Sequence, residues 1–369
     1  MTFNRWKDGI VSRYEKNRAG SLGANIASFF NPDRVEQGMV KGCTSNPRLV
    51  WEEVESAPEF WVPKTQSIIK NHSGMHTRDI YLILYKHIFE INAEIMLPLW
   101  QLTDAKYGWI SAQIPPIYSF DKDKIIELAL ELTAISPNIM IKVLGNKEGY
   151  QIIEQLTGLG ISTNCTLSFN VPQFLSCTKA VDRGLQHTNK NGVDITKWRS
   201  VITYMMGRFG TDPAMQKQSN NRNIPLSRLD IRWAEIAIYK KMYRLLKEQH
   251  HPSKLLICSL KIDSIDGVQQ CMHIERSCGS GCIYTIPTSF LDGLLKMKET
   301  MRLDDKSFND EIPDEVFNKL MALPYFRRSH LEEGIRSDEF MMLPTFVNCL
   351  QEFYAAYNKM NDFIEICRR

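Results

Sequence analysis

Short apolar runs alternate with longer amphipathic stretches along most of the chain. Runs rich in branched and other apolar residues fall at 24–27, 39–43, 109–114, 139–143, 161–169, 201–206, 255–260 and 282–286, and predict eight strands. Between them apolar residues recur every three or four positions and predict helices. The clearest is 122–135, where Ile125, Leu128, Leu132 and Ile135 share a face, followed by 149–159 and 229–247. Ser119 and Asp121 precede the first of these helices and Ser227 the third, supplying the acceptors that a helix N-terminus needs. Strands that alternate with helices predict a parallel sheet, and eight such units predict an α/β fold of the closed (β/α)8 type, a TIM barrel.

Two regions exceed a bare barrel. A helical insertion is predicted over about 48–107, richest in Ile, Leu and Tyr at 79–102, and a C-terminal helical extension over about 300–369, with its main helix at 340–366. Both are expected to pack against the outside of one barrel domain spanning 1–369. Along the last helix Phe346, Leu350, Phe353 and Tyr357 recur at helical spacing, a stripe that serves either core packing or a homodimer contact.

Composition narrows the function classes. With 369 residues, 43% hydrophobic and 24% charged, the chain buries a full core. Its 45 basic and 42 acidic residues leave no dominant field, and nothing points to nucleic acid. The N-terminus is too polar for a signal peptide and no apolar run reaches the roughly 18 residues that span a bilayer, so a cytoplasmic protein without a membrane partner is expected. Nine scattered cysteines read as reduced, buried residues. Cys278 and Cys282 have zinc-like spacing but no second ligand pair beside them, and His250 and His251 ahead of Pro252 read as a helix terminus, so no metal is expected.

One charge stands out against this background. Lys142 lies in the middle of the apolar run at 139–143. Burial there disfavours the ammonium and pushes the side chain toward the neutral, nucleophilic amine, which is how a Schiff-base lysine is prepared. In a (β/α)8 barrel the chemistry sits at the C-terminal ends of the strands. Those ends carry Ser28, Thr44, Asn46, Gln113, Lys142, Asn164, Thr166, Thr203, Arg208, Ser259 and Lys261. Any one Ser or Thr could be an ordinary strand-end cap, but so many polar ends around one lysine form a candidate site.

These segments also resemble a known family. GCTSNP (42–47) resembles the G-x-T-T-N-P turn of transaldolases, IMIKVLGNKEG (139–149) their lysine strand, and GISTNCTLSF (160–169) their G-I-x-x-N-x-T-L-x-F strand. SVITYMMGRFGTD (200–212) is similar to their S-x-F-V-x-R segment and ICSLKI (257–262) to a later A-S-F-R strand. The resemblance implies a class I mechanism without metal or organic cofactor. A lysine attacks the ketone of a sugar phosphate, and the resulting iminium acts as electron sink for carbon–carbon cleavage. A three-carbon unit then waits for an aldehyde acceptor. Carried over, Lys142 is the nucleophile, Asn46 binds the hydroxyls of the bound unit, Asn164 and Thr166 hold the catalytic water, and Arg208 with Ser259 and Lys261 takes the phosphate; Thr44 and Thr203 line the pocket.

The departures from that pattern bear directly on function. Ser28 stands where the family keeps an aspartate and Gln113 where it keeps a glutamate, Asn146 replaces a threonine, and Met205 occupies an aromatic position. Neutral groups cannot exchange protons near pH 7, and a general acid or base contributes roughly 10²- to 10⁴-fold. Three readings follow. The first is a divergent Schiff-base enzyme in which Tyr204, Cys165, Asp33 or Asp263 moves the protons, acting on a ketose or sugar-phosphate-like carbonyl compound in a specialised pathway. The second is a conventional transaldolase with Asp33 in the aspartate's role. The third is a non-catalytic barrel that binds sugar phosphates.

Overall fold

The computed structural model describes residues 42–265, 267–286, 290, 293–294, 297 and 307–369. Among these residues seven parallel strands form one curled sheet in the order β1 Gly42–Thr44, β2 Trp109–Gln113, β3 Ile139–Leu144, β4 Thr163–Ser168, β5 Ser200–Tyr204, β6 Lys254–Ile257 and β9 Ile283–Tyr284. A separate antiparallel hairpin, β7 Asp263–Ile265 with β8 Val268–Gln270, follows β6. The fold is an α/β barrel of the TIM type. The expected strand at 24–27, together with Ser28 and Asp33, lies outside the described residues. Of the strand expected at 39–43, residues 39–41 also lie outside the described residues, and the described part runs over Gly42–Thr44.

Several of the helices that follow strands open on a side-chain cap that the sequence supplies. Asn46 accepts from Leu49 N at the head of α1 (Pro47–Ser56), Asp121 from Lys124 N at α4 (Lys122–Ile135), and Asn146 from Gly149 N at α5 (Lys147–Gly158). Asn170 does the same at α6 (Val171–Asn191), while Ser227 and Asp230 form a reciprocal capping box at the start of α9 (Arg228–Glu248). β3 and β4 are buried over all six of their residues, as strands covered on both faces must be. Between β5 and α9 lie a single turn, α7 (Met206–Phe209), and α8 (Pro213–Asn221). A further turn, α10 (Met272–Glu275), follows the hairpin.

The stretch between β1 and β2 is helical: α1, α2 (Pro58–Asn71) and α3 (Thr77–Leu102). After α11 (Asp314–Met321) and α12 (Pro324–His330) the chain ends in α13 (Pro344–Arg368). No helix among the described residues is long and apolar enough to cross a membrane.

The path of α13 differs from the expected packing on the barrel's outer wall. Its first half lays Phe346, Cys349 and Phe353 against Leu144, Leu167 and Phe169, at the C-terminal ends of β3 and β4, with Met205 beside them after β5. Its second half meets the inserted helices through Tyr357 on Tyr81, Phe363 on Trp51, and the buried Met360 and Ile364. The apolar stripe read from the sequence is therefore covered within the chain. The physical reason is that three apolar side chains at the strand ends would otherwise face the solvent of the barrel mouth.

Candidate active site

In-register neighbours of a parallel sheet project to the same face, so the pairings decide what stands beside Lys142. Gln113 pairs with Lys142, Lys142 with Asn164, and Asn164 with Val201. One tier below, Thr44 pairs with Ser111 and Ser111 with Met140. Inside the barrel these rows form layers. Met140, Val201 and Leu256, with Trp109, Cys258 and Ile283 against them, make an apolar floor. The Leu144, Leu167 and Phe169 cluster under α13 makes an apolar roof. Lys142 stands between the two.

Lys142 is 6% exposed. Its Nζ donates to the Ser45 carbonyl oxygen at 2.7 Å and to Thr44 Oγ1 at 3.2 Å. Burial lowers its pKa to about 8, opposed only in part by the thiols of Cys258 and Cys43. Those thiols are themselves pushed up by burial, that of Cys43 to about 12, and so carry no charge near neutrality. No salt bridge among the described residues includes Lys142. The amine is thus a desolvated base held by neutral oxygens, the state a carbonyl-attacking lysine requires.

Around it the polar groups are tied to one another. Asn164 Nδ2 donates to Ser111 Oγ at 2.8 Å and Thr203 Oγ1 donates to Asn164 Oδ1 at 2.7 Å, a bridge from β2 to β5 that crosses the lysine strand. Thr166 is buried one register step above Asn164. Gln113 is 1% exposed, and neither its Oε1 nor its Nε2 has a hydrogen-bond partner in the protein. Its backbone carbonyl instead accepts from Tyr85 OH of α3 at 2.6 Å. By register this amide stands on the strand position next to Lys142.

The phosphate-side candidates converge from two neighbouring turns. A Cβ on Gly207 would sit 1.9 Å from the Ser259 carbonyl oxygen and 3.2 Å from Lys261 Cε, so the glycine lets the turn carrying Arg208 press against the turn carrying Ser259 and Lys261. Ser259 holds a left-handed φ of 59°. Behind these turns lies a buried charge network. Glu235 of α9 accepts from Arg232 and from His273 Nε2, both at 2.6 Å, and from Gly210 N at 3.2 Å. His273 Nδ1 accepts from Lys261 N at 3.0 Å, and Arg232 also grips Asp263.

Arg208 itself is not open. Both of its terminal nitrogens donate to Glu352 of α13, at 2.8 and 2.7 Å.

Several sequence expectations change here. Asn46 spends its Oδ1 on capping α1. Of the proton-transfer alternatives, Tyr204 points out of the barrel and donates to the Glu235 carbonyl, with burial raising its pKa well above the ordinary value. Cys165 is buried outside the barrel beside Ser168. Asp263 is locked into the Arg232 pair. Tyr204 and Cys165 stand on the strand positions that face away from Lys142, and Asp263 lies in the separate β7–β8 hairpin, held by Arg232. Sequence reading also missed Ser45, Ser111 and Glu352. The first two carry a signal, since they lie within the segments 42–47 and 109–114 already singled out; Glu352, in a helix far along the chain, carries none.

Residues 24–341 match the family described as Transaldolase/Fructose-6-phosphate aldolase. The chain belongs to the transaldolase/fructose-6-phosphate aldolase family. Relatives agree with this. The chain is 26% identical over 347 residues to "Transaldolase" of Trichodesmium erythraeum, covering 85% of this chain and 88% of that protein. It is 24% identical over 268 residues to "Transaldolase" of Thiobacillus denitrificans, covering 69% and 74% respectively. "Transaldolase 2" of Streptomyces avermitilis is 30% identical over 180 residues, 48% of either chain. Family membership supports an aldolase- or transferase-type activity on a small molecule, and the low identities mark a divergent member.

Proposed function

We propose that the protein is a divergent, cytoplasmic Schiff-base enzyme of this family that makes, breaks or transfers a carbon–carbon bond of a ketose or sugar-phosphate-like carbonyl compound through Lys142, in a specialised pathway. The observation that carries the reading is the Lys142 amine, buried in a polar tier, with its pKa lowered to about 8 and, among the described residues, the Ser45 carbonyl and the Thr44 hydroxyl as its hydrogen-bond partners.

The neutral amine adds to the ketone carbon and water leaves; the iminium then takes the electron pair of the bond between the α and β carbons, forming an enamine, while the β-hydroxyl gives up its proton and that fragment departs as an aldehyde. Asn164, fixed by Ser111 and Thr203, and Thr166 hold water near the iminium. Gln113, in the glutamate's place, offers hydrogen bonds and no proton exchange. With Ser28 in the aspartate's place, proton transfer falls to water and to substrate hydroxyls, and ordinary transfer between sugar phosphates is slow.

Reductive trapping tests the assignment. Borohydride with fructose 6-phosphate or dihydroxyacetone is expected to add to the peptide containing Lys142 the mass of the bound carbonyl compound less one oxygen, water being lost and two hydrogens gained, and Lys142→Ala and Lys142→Arg are expected to abolish the adduct. Failure of every ketone to label Lys142 in the folded protein would sink the reading.

A further inference from the structure

The Arg208 to Glu352 pair bears on which substrates the site takes. A guanidinium binds a phosphate through the same planar fork that it offers a carboxylate, and here both terminal nitrogens already face both oxygens of Glu352. A phosphate dianion brought to Arg208 would have to displace Glu352 or share the guanidinium with a like charge.

Displacing Glu352 is opposed by the way its helix is held. Cys349, one turn before Glu352, and Phe353 beside it are buried in the roof over the barrel mouth. The head of α13 is tied to the Arg208 loop a second time, by Thr345 N donating to Asp212 Oδ2 at 3.2 Å, while Asp212 Oδ1 caps α8. The two side chains remain 30% and 37% exposed, so solvent screening keeps the pair from being unbreakable. Glu352 also stands beyond residue 341, where the family match ends, whereas Arg208 lies within it.

We propose that Glu352 is a specificity-determining residue that neutralises Arg208 and makes the Lys142 pocket select unphosphorylated hydroxyketones over their phosphate esters. This deepens the Schiff-base reading and rests on it for the pocket, but the electrostatic part stands apart from the amine and is measurable without it.

Two measurements test the proposal. In borohydride trapping, wild-type protein is expected to reach half-labelling of Lys142 at a lower concentration of fructose than of fructose 6-phosphate. Glu352→Gln, which keeps the shape and removes the charge, is expected to lower the fructose 6-phosphate requirement by about tenfold or more while that for fructose changes little. Calorimetric titration with inorganic phosphate reads the same site without any ketone. Wild type is expected to bind at least tenfold more weakly than Glu352→Gln, and the gain is expected to vanish in the Glu352→Gln, Arg208→Gln double variant. A wild type that prefers the phosphate ester, or a folded Glu352→Gln with unchanged phosphate affinity, overturns the proposal. Absence of labelling with a clear gain in phosphate binding would instead overturn the Schiff-base reading alone. Should Glu352→Gln fail to fold, the wild-type preference between the two ketoses still decides.

Discussion

Lys142 Nζ hydrogen-bonds the carbonyl oxygen of Ser45 at 2.7 Å, joining the middle of β3 to the end of β1 with no formal negative charge between them. Because the partner is neutral, desolvation governs the amine, and its pKa falls from 10.5 to about 8. Between those two values the unfolded chain keeps a proton that the folded chain has released, so stability rises with pH across that window. The cost of burying a charged lysine is full below pH 8 and gone above 10.5. Lys142→Met removes the slope. The stability of wild type is expected to gain about 3 kcal/mol on the variant across the window, read from denaturant unfolding at stepped pH. Parallel curves would show that the amine is not desolvated. Adduct formation with a ketone is expected to rise through the same midpoint of about pH 8, where the amine loses its proton.

Gln113 gives a second handle on that amine. Gln113→Glu places a carboxylate on the neighbouring register position, which favours the ammonium form of Lys142. The pH midpoint of trapping is expected to move upward by about one unit or more. Any transfer between sugar phosphates is expected to increase, since a proton carrier has been supplied where the amide cannot act. An unmoved midpoint would place the Gln113 side chain away from the lysine.

Glu235 holds three donors in a fully buried position. Glu235→Gln leaves Arg232 with Asp263 alone and gives His273 a weaker acceptor, and a broken buried pair typically costs about 3–5 kcal/mol. Chemical denaturation is expected to show a loss of that size. A loss under about 1 kcal/mol would mean the network contributes little.

Gly207→Ala tests the contact between the two phosphate-side turns. The added methyl collides with a backbone oxygen, so the Arg208 turn must lift away from Ser259. Lower thermal stability is expected together with weaker binding of phosphate by Glu352→Gln when the two substitutions are combined. Unchanged values for both would show that the turns part without consequence.

The barrel was legible from the sequence because its central strands are buried on both faces and read as short, mainly apolar runs, and because Asn46, Asp121 and Ser227 announce the helices that follow. Lys142 was legible for a related reason: one cation inside such a run has few explanations. Thr44, Gln113 and Asn164 were recoverable as strand ends; Gln113 and Asn164 pair with Lys142 in the register, and Thr44 meets it through a hydrogen bond to its Nζ. What sequence could not supply was the direction of each side chain at the strand ends, which depends on where the pleat begins. That is why Tyr204 and Cys165 were drawn into the chemistry although they face the surrounding helices. Glu352 was hidden for a different reason. Its role depends on α13 folding back over the strand ends, a long-range arrangement with no local spacing to betray it.

That fold-back also gives the last helix two footings, one on the reaction chamber and one on the helices between β1 and β2. The apolar roof over the strand ends is consequently braced from a distance, by aromatic rings on the inserted helices. Damage at Trp51 or Tyr81 would reach the strand ends around Lys142 through α13, far from where the change was made.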